Sequence, residues 1–349
     1  MKNRIDILRQ RLGDSKAALI SGRANIFYYS GFTSEDAMLL ITPDKSIIFT
    51  DSRYTIQAQQ QAKDYEFLNS EKGLQELFSG SCPDEIIIED KCVTLSQISK
   101  IRESAPDKRF LGGSNLITLS RAVKDASEIK KIAEAERLGD EAFAYILKFI
   151  KAGMSEREIA IELEFFMRKN GASGLSFETI SASGVRSAMP HGTASDKILC
   201  DGDLFTLDFG CVLDGYCSDM TRTVGIGHLD EKSKEIYNIV LKAQKNALNT
   251  LRAGLNCVDA DKSARDVIKS AGYGGFFRHS LGHSVGIEIH EKPNLSPKSK
   301  DILEVGNVVT VEPGIYIEDF GGVRIEDVVA IAENGINNLT SSAKELIIL

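Results

Sequence analysis

Two stretches of this chain, 101 residues apart, carry the same punctuation, and that repeat restricts the fold more than any other feature. Lys151-Ala152-Gly153-Met154 opens a segment that closes at Asn170-Gly171, and Arg252-Ala253-Gly254-Leu255 opens one that closes at Ala271-Gly272. A long helical pattern precedes each, Glu128 to Ile150 and Lys232 to Leu251, and β-rich runs follow each. Repetition of one supersecondary unit implies two similar halves that stack around a shared interior. The expectation is a duplicated helix-and-sheet domain with a pseudo-two-fold between its halves.

The β-rich runs carry acids in matching places. Asp208 follows Leu204-Phe205-Thr206-Leu207 and precedes Phe209-Gly210; Glu312 follows Val308-Val309-Thr310-Val311 and precedes Pro313-Gly314. Each half then holds a second carboxylate, Asp219 in Cys217-Ser218-Asp219-Met220-Thr221 and Glu326 in Val323-Arg324-Ile325-Glu326-Asp327. A carboxylate at an apolar strand end is expensive to bury as an anion unless a cation or a hydrogen-bond network compensates it. Packed about a two-fold, the halves would bring four carboxylates to one cleft, and with His283 they point to a metal pair. Cys211 and Cys217 lie between the two aspartates, where each is either a ligand or, as is commoner for a free cysteine, a small buried apolar side chain. The six cysteines form no Cys-x-x-Cys pair, which argues against structural zinc.

Of the five histidines, His191, His279, His283 and His290 fall in this region, whereas His228 in Gly-His-Leu-Asp reads as a surface turn. His279 and His283 have helix-face spacing, yet Leu281-Gly282 between them and the alternating Val285, Ile287 and Ile289 predict a loop entering a strand.

The N-terminal part alternates strand-like runs (Ala17 to Ile20, Met38 to Ile41, Ser46 to Thr50, Glu85 to Ile88) with helix-like ones (Tyr54 to Ala62, Leu74 to Phe78, Leu95 to Ile101). That alternation predicts a small α/β layer domain, with the boundary at residues 122/123 before the helical pattern that begins near Arg121. The class is therefore α+β, a domain over 1–122 followed by a duplicated domain over 123–349. A net charge of −8 argues against a nucleic-acid backbone as partner. No run approaches the roughly 18 apolar residues of a membrane span, and the N-terminus lacks a signal-like apolar core. A cytoplasmic protein that engages no membrane is expected.

At these residues the chain resembles the pita-bread (M24) metallopeptidases, the family of aminopeptidase P, prolidase and methionine aminopeptidase. The family's five ligands fall on Asp208 in Leu-Asp-Phe-Gly, Asp219 in Ser-Asp-Met-Thr-Arg-Thr, His283 in Gly-His-Ser-Val-Gly, Glu312 in Val-Glu-Pro-Gly and Glu326 in Val-Arg-Ile-Glu-Asp. His191 in Met-Pro-His-Gly matches a histidine at the mouth of the site, and His279 and His290 match two substrate-facing histidines. Asn25 to Phe32 and Thr50-Asp51-Ser52-Arg53-Tyr54 resemble the creatinase-type N-terminal domain of aminopeptidase P and prolidase, although Asp51 also reads simply as a cap for Tyr54 to Ala62.

The resemblance implies a dinuclear site in which Asp219 serves one ion, His283 the other, Asp208 and Glu326 bridge, and Glu312 doubles as ligand and general base. His279 and His290 would donate to the scissile carbonyl, and His191 would act on the product side. Arg324 would orient the carboxylates, or form a strand-surface salt bridge. The hard, oxygen-rich donor set suits Mn²⁺, with Co²⁺ or Zn²⁺ as alternatives. The implied activity is removal of the residue before proline from Xaa-Pro peptides, with a homodimer as the assembly. The sequence Glu291-Lys292-Pro293-Asn294 after His290 leans toward aminopeptidase P, with prolidase as the alternative and Lys292 as a substitute cation. Creatine amidinohydrolase shares both domains but not this metal set, and a non-enzymatic module on the same fold would be expected to have lost ligands.

Overall fold

Ala17 to Ile20 is an apolar run buried on both faces, which a strand can tolerate only in the middle of a covered sheet. It belongs to β1 (Lys16–Ile20), followed by β2 (Ala37–Ile41), β3 (Ser46–Thr50), β4 (Glu66–Asn69), β5 (Glu85–Ile88) and β6 (Arg109–Gly112). Their order is β4-β3-β2-β1-β5-β6, so β1 is indeed central, antiparallel to β2 and parallel to β5. Helices α1 (Lys2–Leu12), α2 (Arg23–Ser30), α3 (Thr55–Gln61), α4 (Leu74–Leu77), α5 (Leu95–Ser104) and α6 (Ser114–Thr118) connect and cover the sheet. On one face Ala17, Leu19, Ile86 and Ile88 pack with Leu77, Phe78 and Ile101. The computed structural model describes residues 2–349, with side chains from Arg4 onward.

The strands and helices expected here are present to within a few residues, but β4, β6, α1, α2 and α6 go beyond the sequence reading. β4 and β6 are short edge strands with little buried surface, so they lack a period-two apolar signal. In α2, Asn25, Ile26, Tyr28, Tyr29 and Ser30 are all buried, which leaves no polar face to mark a helix. Asp51 is a cap, but of the 3₁₀ turn Ser52–Tyr54, where it accepts the Arg53 N–H at 2.9 Å, rather than of α3.

Contacts divide the chain into two compact units, Met1–Arg121 and Ala122–Leu349. The second contains α7 (Ala126–Phe149) and α8 (Glu156–Lys169), both started by capping boxes, Asp125 with Glu128 and Ser155 with Glu158. Strands β7 (Gly174–Leu175), β8 (Ile180–Ser183), β9 (Leu204–Phe209), β10 (Cys211–Leu213), β11 (Tyr216–Cys217) and β12 (Met220–Gly225) follow. The pattern then recurs with α9 (Glu231–Thr250), α10 (Cys257–Ser270), β13 (Gly282–Ser284), β14 (Glu291–Leu295) and β15 (Val308–Val311), and continues with β16 (Gly314–Ile317), β17 (Gly321–Arg324), β18 (Asp327–Ala332) and β19 (Gly335–Asn338).

The duplication extends to single hydrogen bonds. Gly153 and Gly254 both hold a positive φ, 91° and 81°, at the turn between the paired helices, a conformation that favours glycine. The Gly153 N–H donates to Leu199 O at 3.1 Å and the Gly254 N–H to Leu303 O at 2.8 Å. Leu199 and Leu303 in turn donate to Met154 O and Leu255 O, at 2.8 and 2.9 Å. In the first half Phe143, Ile159, Leu163 and Met167 cover Phe205, Leu207 and Phe209; in the second Ile236, Val240, Ala264 and Ile268 cover Val309, Val311 and Val329. Because strand side chains alternate, this packing turns Thr206, Asp208 and Thr310 to the opposite faces of the sheets. Among the described residues no helix is long and apolar enough to cross a membrane.

Candidate metal centre

The polar faces meet where β12 lies against the segment after β17. The Glu326 N–H donates to Thr221 O at 3.1 Å, and the Thr221 hydroxyl donates to Glu326 Oε2 at 2.6 Å. Thr221 is also the antiparallel partner of Asp208, so this one threonine sets carboxylates of the two halves beside each other. Asp219 sits between β11 and β12, and His283 is the middle residue of β13. That strand is shorter than the Val285, Ile287 and Ile289 alternation predicts, because the chain bends over 285–290 before β14. Glu312 follows β15 and accepts the Thr310 hydroxyl at 2.9 Å.

All nine residues singled out from the sequence line one cavity of about 550 Å³: Asp208, Asp219, His283, Glu312, Glu326, His191, His279, His290 and Arg324. Phe177, Ile180 and Ile289 add apolar wall, and Asn294 adds an amide. Cys211 and Cys217 point elsewhere, with their thiols toward Ala135 O and Ile287 O. His228 is exposed, and Lys292 faces Asp301 at 3.8 Å outside the cavity lining.

The charge balance of this cavity is lopsided. Arg324 is buried rather than on a strand surface; its Nη2 donates to Asp208 Oδ2 at 2.5 Å, its Nη1 to the Tyr316 hydroxyl at 2.8 Å, and its Nε to the Thr221 hydroxyl at 3.1 Å. It is the one arginine or lysine of the lining, against five carboxylates, the four singled out from the sequence and Glu178. Burial, reinforced by the charge of Asp208, pushes Glu312 up to about 8 against the opposing pull of Arg324. Burial and the neighbouring acids also hold Asp219 and Glu326 well above the usual carboxylate range.

The imidazoles are neutral by the same logic. Burial, and after it the charge of Arg324, takes His279 down to about 3; burial and the neighbouring His290 take His283 down to about 4. His283 Nδ1 faces Ser284 O at 3.3 Å, and a carbonyl only accepts, so the proton is on Nδ1. The lone pair on Nε2 then points toward Asp219 Oδ2 at 3.5 Å and Glu312 Oε1 at 3.4 Å. With the acids ionised, acceptor faces acceptor, an arrangement that a proton on a carboxyl or a cation between them satisfies. Asp219, His283 and Glu326 each offer an atom within 4.8 Å of the others, and Asp208 Oδ1 is buried with no hydrogen-bond partner. Oxygen-rich donors with one imidazole fit a divalent ion of the harder kind.

The N-terminal segment 4–123 matches the creatinase/prolidase N-terminal domain, and residues 130–333 match metallopeptidase family M24. The chain belongs to the M24 metallopeptidases. This M24 peptidase is 39% identical over 342 residues to a curated Xaa-Pro dipeptidase of Pyrococcus horikoshii, covering 95% of this chain and 94% of the relative. Its fold superposes with a TM-score of 0.95 on an Xaa-Pro dipeptidase from Bacillus anthracis, 44% identical, across 100% of this chain and 99% of the other. An X-Pro aminopeptidase from Thermotoga maritima gives 0.92 at 41% identity, across 97% and 99%. Membership of a metallopeptidase family implies divalent metal ions, and this cluster of uncompensated acids is the candidate place for them.

Several partners in the M24 site have no sequence signal of their own. Tyr316 in β16 bonds its hydroxyl to His279 Nε2 at 2.7 Å, Thr310 donates to Glu312 and accepts the His283 N–H at 3.0 Å, and Thr221 holds Glu326. In strands, threonine and tyrosine read as ordinary β-formers, so nothing local separates these from structural residues.

Proposed function

We propose that this M24 peptidase is an Xaa-Pro dipeptidase that hydrolyses the bond before proline, and that Asp208, Asp219, His283, Glu312 and Glu326 hold two divalent ions, with Mn²⁺ the best match to the donor set. The observation that carries the reading is the His283 lone pair directed at two raised-pKa carboxylates on the floor of a cavity that is the right size for a small peptide. Bound ions supply a water of lowered pKa and polarise the carbonyl. The protein's groups do the rest. Glu312 takes the proton of the attacking water, and its place next to Thr310 keeps the carboxylate aimed across the cavity.

His290 lies with its ring centroid 4.3 Å from that of His283 and is placed to donate to a carbonyl oxygen bound in the cavity as charge develops there. His279 Nδ1 donates to Ser280 O at 2.8 Å, which leaves Nε2 to accept the Tyr316 hydroxyl. In that state both ring nitrogens are engaged, so His279 acts on the substrate by shape unless the peptide displaces Tyr316. Exposed His191 stands on the cavity wall for the leaving side. An Xaa-Pro bond has no N–H on the proline nitrogen, and a site that works through the carbonyl does not need one.

Two of the three similar proteins described above are Xaa-Pro dipeptidases, which supports prolidase over the aminopeptidase P activity that Glu291 to Asn294 suggests. The deciding experiment gives metal-free protein, with and without Mn²⁺, matched Xaa-Pro dipeptides, Xaa-Pro-Yaa tripeptides and Xaa-Ala controls. Metal-dependent cleavage of the dipeptide alone is the expected product pattern. Preferred cleavage of the tripeptide restores aminopeptidase P, and cleavage of neither rejects a proline peptidase.

A further inference from the structure

Glu136 lies in the middle of α7, completely buried and outside the cavity lining. A carboxylate buried at a helix-packing position is costly unless its oxygens are used. Here both are. Oε1 accepts the backbone N–H of Asp219 at 2.8 Å, and Oε2 accepts the hydroxyl of Thr340 at 3.1 Å. The same Thr340 oxygen accepts the Val328 N–H at 2.9 Å, while the Thr340 N–H donates to Asn338 Oδ1 at 3.1 Å. Asn338 Nδ2 in turn donates to Asp327 Oδ2 at 2.8 Å.

The stretch after Thr340 is fastened to two elements of the first half, α7 and β12. Asp140, one turn along α7 from Glu136, accepts the N–H and hydroxyl of both Ser341 and Ser342 over 2.5–2.9 Å. Arg222, fully buried in β12, donates to Glu326 O at 2.5 Å, Asp327 Oδ1 at 2.8 Å, Ser342 O at 2.7 Å and Ala343 O at 3.0 Å. The C-terminal stretch from Asn338 to Ala343 thus spans from the helix behind Asp219 to Asp327 and Val328, the two residues after Glu326.

We propose that Glu136 is a positioning residue for metal binding: together with Thr340 it makes the C-terminal stretch a spacer that holds the Asp219 and Glu326 backbones at the separation the ions require. The inference rests on the metal-site reading above. It explains why an acid occupies a fully buried helix position where an aliphatic residue would pack: the N–H of Asp219 precedes the β12 ladder and takes its acceptor from α7.

The test is calorimetric titration of chelator-stripped protein with Mn²⁺, comparing wild type with Glu136→Leu, Glu136→Gln and Thr340→Val, alongside far-UV circular dichroism. Removing a group that orients metal ligands typically weakens affinity by about 10–100-fold, and that loss is expected for Glu136→Leu. Glu136→Gln keeps an oxygen for the Asp219 N–H and is expected to recover most of the affinity. Thr340→Val cuts the link to the C-terminal stretch alone and is expected to weaken Mn²⁺ binding several-fold, so it decides the matter if Glu136→Leu does not fold. Wild-type affinity in both Glu136→Leu and Thr340→Val overturns the proposal, as does a Glu136→Gln no better than the leucine variant. Wild-type protein that takes up no Mn²⁺ overturns the metal-site reading and this inference with it.

Discussion

Arg324 and Asp208, 116 residues apart in sequence, form a buried ion pair with Nη2 to Oδ2 at 2.5 Å, and this is the only contact within hydrogen-bond range that either oxygen of Asp208 makes among the described residues. The pair joins the end of β17 in the second half to β9 in the first. It leaves one carboxylate oxygen buried without a hydrogen-bond partner while the other is held by a charge.

Removing one partner of a buried pair typically costs about 3–5 kcal/mol. Arg324→Gln is therefore expected to lower the urea midpoint of the metal-free protein markedly, with most of the loss recovered on adding Mn²⁺, which replaces the missing positive charge. Matching midpoints for variant and wild type in chelator would show that Arg324 does not hold the acids together.

The raised acids give the metal-free protein an unusual pH profile. Glu312 keeps its proton in the folded state up to about 8, whereas in the unfolded chain it titrates near the ordinary glutamate value of about 4.3. Between those values the native state binds more protons than the unfolded state, so stability falls as pH rises through that window. Bound divalent ions remove the repulsion and reverse the trend. The depressed imidazoles of His279 and His283 act the other way up to their ordinary value of about 6.5, so melting temperatures in chelator should decline from pH 7 to pH 8, and the gain on adding Mn²⁺ should widen over the same range. A metal-free melting temperature that climbs over this range contradicts the assignment.

Glu312→Gln separates chemistry from folding. Loss of a positioned general base is worth about 10²–10⁴-fold in rate, so turnover on an Xaa-Pro dipeptide is expected to drop by that much. The neutral amide also relieves repulsion in the cluster, so the metal-free variant should melt no lower than wild type. Near-normal kcat would remove Glu312 from the proton-transfer step.

What was legible in the sequence was whatever carried a local mark. Asp208 and Glu312 stand out because each interrupts an apolar run beside a glycine or proline, and the helices repeat because Gly153 and Gly254 punctuate them alike. The groups that orient the site lack such marks, because their partners are distant: Thr221 meets Glu326 across 105 residues and Glu136 meets Thr340 across 204. Within α7, Glu136 lies one turn after Ile132 and is fully buried, but its place on that face says nothing of the partners its oxygens take. Only the packing of the C-terminal stretch against the helix supplies Thr340 as one of them.

Glu156 shows the same effect at the cavity mouth and yields the last prediction. It is the first residue of α8 and completely buried; Oε1 accepts the Ser183 N–H at 2.7 Å and its hydroxyl at 2.9 Å, while Oε2 accepts the Ser195 N–H at 3.2 Å and its hydroxyl at 2.7 Å and pairs with Arg186. Arg186 also donates to Thr193 O at 2.9 Å. These bonds hold both ends of the stretch that presents Pro190, His191 and Thr193 to the cavity, and none of them touches the acid cluster. Glu156→Gln should therefore leave Mn²⁺ affinity unchanged while raising KM for an Xaa-Pro dipeptide, since the amide cannot accept at both oxygens and the loop loosens. Substituting His191→Ala in the same background should add little further, because residues acting as a unit are non-additive. Fully additive losses would mean that Glu156 supports the fold without positioning His191.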